Sequence, residues 1–540
     1  MRLCYNLIQR VKALNAKSYD RFWGGAEITM VSKIILLVVF FGIMVFVGLY
    51  SRRHATNVND FVLGGRSVGP WLTAFAYGTS YFSAVVFVGY AGQFGWKYGL
   101  SATWIGIGNA LLGSLLAWLV LARRTRVMTH HLDSATMPDF FGKRFNSQKM
   151  KIAASAIIFV FLVPYTASIY NGLSRLFGMA FNIPYEYCVI GMALLTGLYV
   201  ILGGYMATAI NDFIQGIIML IGIVVVIIAV LNGQGGFTEA LQSLAAVPSD
   251  AAANAGQTGL FTSMFGPDPL NLLGVVVLTS LGTWGLPQMI HKFYTIKSGK
   301  AIRTGTIVST VFALIIAGGS YFLGGFGRLF DNPAIHSGDK IVYDGIIPHM
   351  LSSLPDILIG IVVVLVLSAS MSTLSSLVLT SSSTLTLDFL KGTVMKNMKE
   401  NRQLLIMRIL IVFFIVISVV LAINPPTFIA QLMGISWGAL AGAFLAPFLY
   451  GLYCKWVTKA SVWASFIVGI GITVSNMFFK FIESPINAGA LAMVAGLVVV
   501  PLVSLISRKL DKSFIEGIFI CFKNGEEKLE DEQKKTPASV

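Results

Sequence analysis

Residues 368–384 carry a dense set of hydroxyls: Ser368, Ser370, Ser372, Thr373, Ser375, Ser376, Thr380, Ser381, Ser382, Ser383 and Thr384. Ser372, Ser376 and Thr380 recur every fourth residue, so in a helix they form one polar stripe on one face. Neutral hydroxyls together with backbone carbonyls are hard oxygen donors of low total charge. That donor set suits a dehydrated monovalent cation such as sodium better than a divalent ion. Each hydroxyl also has a second reading, as a small polar residue bonded to a carbonyl one turn back. The cation reading therefore requires a neighbouring segment that offers open carbonyls.

Two segments could offer them. Ala74-Phe75-Ala76-Tyr77-Gly78-Thr79-Ser80-Tyr81-Phe82-Ser83 and Thr279-Ser280-Leu281-Gly282-Thr283-Trp284-Gly285-Leu286-Pro287 place Gly, Pro and hydroxyl residues inside apolar runs. An unpaired backbone amide in hydrocarbon costs several kcal/mol, so an interrupted helix at membrane depth usually lines a site. Close packing of small residues is the competing explanation. One carboxylate, Asp212 in Asn211-Asp212-Phe213-Ile214-Gln215, also falls near the start of an apolar run. It reads either as part of an ion exit path or as an interfacial helix cap.

These residues must be positioned by membrane-spanning helices. With 56% hydrophobic and 12% charged residues in 540 positions, the chain is too apolar for a soluble core. Thirteen spans are expected near 31–50, 69–94, 100–121, 152–179, 183–204, 208–231, 267–290, 304–326, 350–386, 404–423, 427–453, 460–480 and 488–507. Basic residues crowd alternate connections. Arg52, Arg53 and Arg66 lie in one, Arg123 to Lys151 in the next, then Lys292 to Arg303, Lys391 to Arg408, and Lys455 with Lys459. The intervening connections carry few, and 232–266 carries none. The basic side is then cytoplasmic, with the amino terminus outside and the tail from Arg508 inside. This topology accounts for the net charge of +15. It leaves no basic soluble domain for a nucleic acid.

Residues 1–29 fit poorly, because Arg2, Arg10, Lys12, Lys17 and Arg21 would lie outside. They read as an amphipathic extension on the membrane surface or as untranslated sequence. In the second case, codons for Gly24-Gly25-Ala26-Glu27 form a ribosome-binding site and Met30 is the start. The four cysteines, Cys4, Cys188, Cys454 and Cys521, have neither metal spacing nor an obvious disulfide role. The expected order is an extension (1–29), a first span with its cytoplasmic loop (30–68) and a first repeat (69–231). An extracellular loop (232–266), a second repeat (267–453), two peripheral spans (454–507) and a tail (508–540) follow. The two five-helix repeats would be inverted, each beginning with one of the interrupted helices.

At these residues the chain resembles the sodium:solute symporter family over nearly all of 31–507. The resemblance rests on Phe61-Val62-Leu63-Gly64-Gly65-Arg66-Ser67, Met137-Pro138-Asp139-Phe140 with Arg144-Phe145, Gly203-Gly204 with Asp212 and Gln215, and Met371-Ser372-Thr373-Leu374-Ser375. It implies an all-α fold with a five-plus-five inverted-repeat core. It also implies a sodium site made by the carbonyls of Thr79, Phe82 and Ala369 and the hydroxyls of Ser372 and Thr373. The proline and the pantothenate or monocarboxylate branches look nearest. Relative to the proline branch, Tyr81 stands in place of an aspartate, and Thr279 and Thr283 in place of a Trp and a Tyr, while Tyr165 matches a substrate-side Tyr. Tyr81, Ser83, Tyr165, Thr279, Thr283 and Trp284 are accordingly the expected solute contacts.

The function expected is sodium-coupled symport of a small zwitterion or organic anion, with sodium released past Asp212. A single chain in the plasma membrane is expected to suffice. Among rivals, an enzyme lacks paired intramembrane carboxylates or a nucleophile motif, and no Gly-rich phosphate loop signals a hydrolytic drive. A transporter-like sensor would have to signal through the short charged tail at 511–540. A channel stays open as an alternative.

Overall fold

The computed structural model describes residues 30–52, 57–181, 183–251, 253–338 and 340–522. The two readings of 1–29 and the charged tail at 526–532 lie outside the described residues. Among the described residues, ten helices are long and apolar enough to cross a bilayer, and shorter apolar helices cover Ile35–Ser51 and Tyr185–Leu198. The fold is a helical membrane bundle, and its departures from the expected spans occur at joints.

Both interrupted segments are broken helices. The first runs Pro70–Tyr81 and stops where Phe82 turns extended (φ −112°, ψ 120°). The chain then resumes at Val85–Tyr90 and Ala91–Tyr98. The second runs Pro269–Gly282, turns, and restarts as Pro287–Tyr294 behind an extended Leu286. Proline has no amide hydrogen and its ring clashes with the preceding turn, so Pro287 can begin a helix but not continue one. At their basic ends the two helices are tied together. Val68 bridges Ile296, and the Arg126 guanidinium donates to the Ile296 and Lys297 carbonyls at 3.0 and 2.9 Å. The approach to Pro70 turns through three left-handed residues, Gly64, Gly65 and Arg66 (φ 57°, 64° and 53°). Arg66 then donates to the Ser134 carbonyl at 3.0 Å.

Two expected boundaries are corrected. Spans five and six, expected at 183–204 and 208–231 with a connection between them, are two helices within Tyr185–Gly233 that meet directly at a kink at Gly204 (φ 55°, ψ −149°), without a loop between them. That conformation is essentially restricted to glycine. A Cβ there would also sit 2.8 Å from the Phe61 carbonyl. Gly204→Ala is therefore expected to lower thermal stability in detergent by roughly 2–4 kcal/mol, combining strain with a backbone clash. A melting temperature equal to that of the parent chain would contradict this reading. Span nine, expected from 350, begins at Asp356 instead, because Pro355 sits at its amino-terminal cap and Tyr343–Ser352 is a separate helix. Within 232–266 the helix Phe237–Ala245 packs Ala240 and Leu244 against Phe261 and Phe326.

Glycines let several backbones touch. A Cβ on Gly95 would lie 1.9 Å from the Gly324 carbonyl oxygen, and one on Gly106 would lie 2.5 Å from the Gly318 nitrogen. A second seam joins the last helices, where Gly469 would meet Gly442 at 2.3 Å and Gly438 would meet Gly489 at 2.7 Å. Lipid supplies no hydrophobic drive between helices, so such seams hold by van der Waals contact.

Candidate functional site

The break at Phe82 faces the hydroxyl helix Asp356–Thr384. Because Pro70–Tyr81 ends there, the Thr79 carbonyl is one of the last four in its helix and has no partner within it. Ser372 Oγ donates to the Thr79 and Ala369 carbonyls at 3.1 and 3.0 Å. Thr373 Oγ1 approaches the same two oxygens at 3.4 and 3.2 Å. Thus the Thr79, Ala369, Ser372 and Thr373 oxygens converge, all on buried residues. Phe82, the fifth expected ligand, lines a small cavity with Ser83 and Ala369, so it borders the cluster without a direct bond to the hydroxyls.

The polar stripe continues one turn further. Ser376 Oγ donates to the Ser372 carbonyl at 3.1 Å and lies 2.9 Å from Ser80 Oγ. It also accepts a hydrogen bond from Lys292 Nζ at 3.0 Å. Lys292 in turn pairs with Asp212 Oδ2 at 3.5 Å, the two side chains being 1% and 0% exposed. Asp212 stands two turns inside its helix beyond Gly204, so it is not a terminal cap, and the capping alternative fails on that geometry. The sequence pattern places Lys292 in a basic connection. Instead, the restart at Pro287 carries the helix to Tyr294 and brings the ammonium into the bundle.

The expected solute residues divide. The Tyr81 hydroxyl donates to the Thr279 carbonyl, which links the two breaks directly. Tyr81 stacks on Phe82 and on Trp437, with ring centroids 4.4 and 5.9 Å apart, and Tyr165 meets Trp437 edge-on at 5.8 Å. A Cβ on Gly282 would touch the Trp437 ring at 2.6 Å, so this indole bridges both breaks. Sequence reasoning passed over Trp437, which stands in an apolar run with no periodic signal. The Tyr165 hydroxyl lies near Ser83 and Trp437, yet neither it nor Trp437 Nε1 completes a hydrogen bond of normal geometry. The polar groups of the other three are engaged with backbone carbonyls around this centre. The Thr279 hydroxyl bonds back to Val275, Thr283 donates to the Gly113 carbonyl at 3.0 Å, and Trp284 Nε1 donates to Leu112 at 2.9 Å.

The Met137-Pro138-Asp139 motif positions charge rather than solute. Asp139 accepts from Lys151 at 2.6 Å, and Lys151 also pairs with buried Asp388 at 3.1 Å. Thr136 donates to the second Asp388 oxygen at 2.5 Å. Nearby Arg144 donates to the Gly451 and Cys454 carbonyls, both at 2.9 Å, capping the helix Ile429–Tyr453. Burial pulls its guanidinium down to about 10, still charged at neutral pH.

Comparison with known proteins places these observations in a family. The sodium:solute symporter family model matches residues 61–469. Sodium/proline symporters of Staphylococcus aureus strains JH9 and USA300 are each 32% identical over 506 residues, spanning 90% of this chain and 94% of theirs. A structure of a substrate-bound, outward-open Na+-coupled sialic acid symporter superposes with a TM-score of 0.72 at 16% identity. The match covers 89% of this chain and 99% of that one, a likeness of fold. The chain belongs to the sodium:solute symporter family: it is a membrane transporter rather than an enzyme, and sodium is its coupling ion.

Proposed function

We propose that this chain couples inward sodium movement to uptake of a small carboxylate-bearing solute by alternating access. The observation that carries the proposal is the meeting of the Thr79 and Ala369 carbonyls with the Ser372 and Thr373 hydroxyls at a helix break. Sodium held there, with Phe82 completing the shell, would join the broken helix to the hydroxyl helix. The solute would lie beside it, against Tyr81, Ser83, Tyr165 and Trp437. Two buried donors that complete no hydrogen bond of normal geometry with their neighbours, Tyr165 OH and Trp437 Nε1, favour a carboxylate, since such donors gain most from a charged acceptor. Thirteen spans with an inverted five-plus-five core, an outside amino terminus and an inside carboxyl terminus complete the proposal. Asp212 lies beyond the stripe on the sodium exit side.

Solute-dependent sodium uptake into proteoliposomes tests this. A panel of proline, other amino acids, monocarboxylates and pantothenate is expected to contain at least one solute that accelerates sodium entry. Sodium flux indifferent to every solute would point to a channel. Tyr81→Phe removes the bond to Thr279 while keeping the stacked ring. It is expected to shift the competition profile several-fold, on the scale of one buried hydrogen bond of about 1 kcal/mol. Trp437→Phe, which removes the indole donor, is expected to weaken anionic solutes selectively. Unaltered profiles in both variants would mean that the solute binds elsewhere.

A further inference from the structure

Lys292 is a buried charge that the symport cycle outlined above leaves unused. Its ammonium lies 3.0 Å from Ser376 Oγ and 3.5 Å from Asp212 Oδ2, with the Tyr205 ring centroid 5.1 Å away. A carboxylate, a hydroxyl and an aromatic face are what an unattached cation would also seek at this depth. Ser376 is the next residue of the stripe after Ser372 and donates to the Ser372 carbonyl. The ammonium therefore occupies a second cation position, one helical turn from the oxygen cluster of the first.

We propose that Lys292 is a tethered cation that fills this second position, so that the transporter binds one sodium ion rather than two. This inference rests on the proposed sodium site. A fully buried carboxylate needs a positive partner, and Lys292 supplies one without exchange with solvent. While the lysine stays, Asp212 has no net attraction to offer a second sodium ion. Once the lysine is removed, the carboxylate and Ser376 together form a vacant cation site.

Equilibrium binding of radiolabelled sodium to the purified full-length chain in detergent tests this without knowledge of the solute. The parent chain is expected to bind one sodium ion per molecule. Lys292→Met and Lys292→Gln should each bind two, and Lys292→Met combined with Asp212→Asn should return to one, because the new site needs the carboxylate. Lys292→Arg should stay at one. A parent count of two, or a count of one in folded Lys292→Met and Lys292→Gln, would overturn the tethered cation while leaving sodium coupling intact. No sodium bound by the parent would overturn the sodium site itself. A lysine with a purely structural role would change melting temperature but not this count. If neither neutral variant folds, the parent count decides: one supports the proposal and two overturns it.

Discussion

Alanine at Ser372 or Thr373 is expected to raise the sodium concentration for half-maximal uptake by about tenfold to a hundredfold. The estimate follows from losing one oxygen that contacts a charged partner, worth roughly 1.5–3 kcal/mol. Alanine is the best helix former and adds no bulk, so the hydroxyl helix should persist. The double variant should lose sodium activation over any practical range, while Thr373→Ser, which retains the oxygen, should stay near the parent. Sodium titrations of uptake at fixed solute, with thermal melts as a folding control, give the comparison. If both single variants keep the parental half-saturation, the oxygens at Thr79 and Ala369 serve only to pack two helices.

The second large effect concerns Lys151. It bridges Asp139, which Lys143 also pairs at 2.9 Å, and Asp388, 1% exposed, in a cluster that joins Met137–Arg144 to the end of the hydroxyl helix. Lys151→Met removes the cation and leaves Asp388 charged and buried, which is expected to destabilise the protein by about 3–5 kcal/mol. Such a loss approaches the whole stability of many folded domains. Little monodisperse protein should therefore be recovered. Adding Asp388→Asn removes the stranded charge and is expected to restore most of the loss. A single variant that melts with the parent would show that Asp388 reaches another cation or takes up a proton.

The breaks were legible because their chemistry is local. Gly78 to Ser83 and Gly282 to Pro287 carry the residues that end helices, and the hydroxyl density at 368–384 marks its partner without any long-range knowledge. Their convergence on Thr79 and Ala369 came from family likeness and not from spacing. The pair of Asp212 and Lys292 was not legible, since charge counting assigns a lysine near a span end to a loop. A cue was present in Pro287: a helix restarted there needs further turns, which carry Lys292 back among its neighbours. Pro355 likewise marked the start of the hydroxyl helix, and expecting a span from 350 overlooked it. Trp437 and the link from Lys151 to Asp388, 237 residues apart, had no local signal. Only the folded packing brings them together.

The glycine seams bear on how freely this sequence can change. Every amino-acid replacement of a glycine adds at least one carbon, and at Gly95, Gly106, Gly438 and Gly469 that carbon would overlap backbone, which cannot rotate aside as a side chain can. These sites therefore have no conservative alternative. In a saturation library selected for transport they should be among the most depleted, falling with the ion-site hydroxyls although they touch neither ion nor solute. The lipid-facing side chains Leu194, Ile221 and Val420, by contrast, are 70%, 62% and 65% exposed and should accept almost any apolar residue. Mutational tolerance along the chain would then trace the lines along which its helices meet as sharply as it traces the transport site.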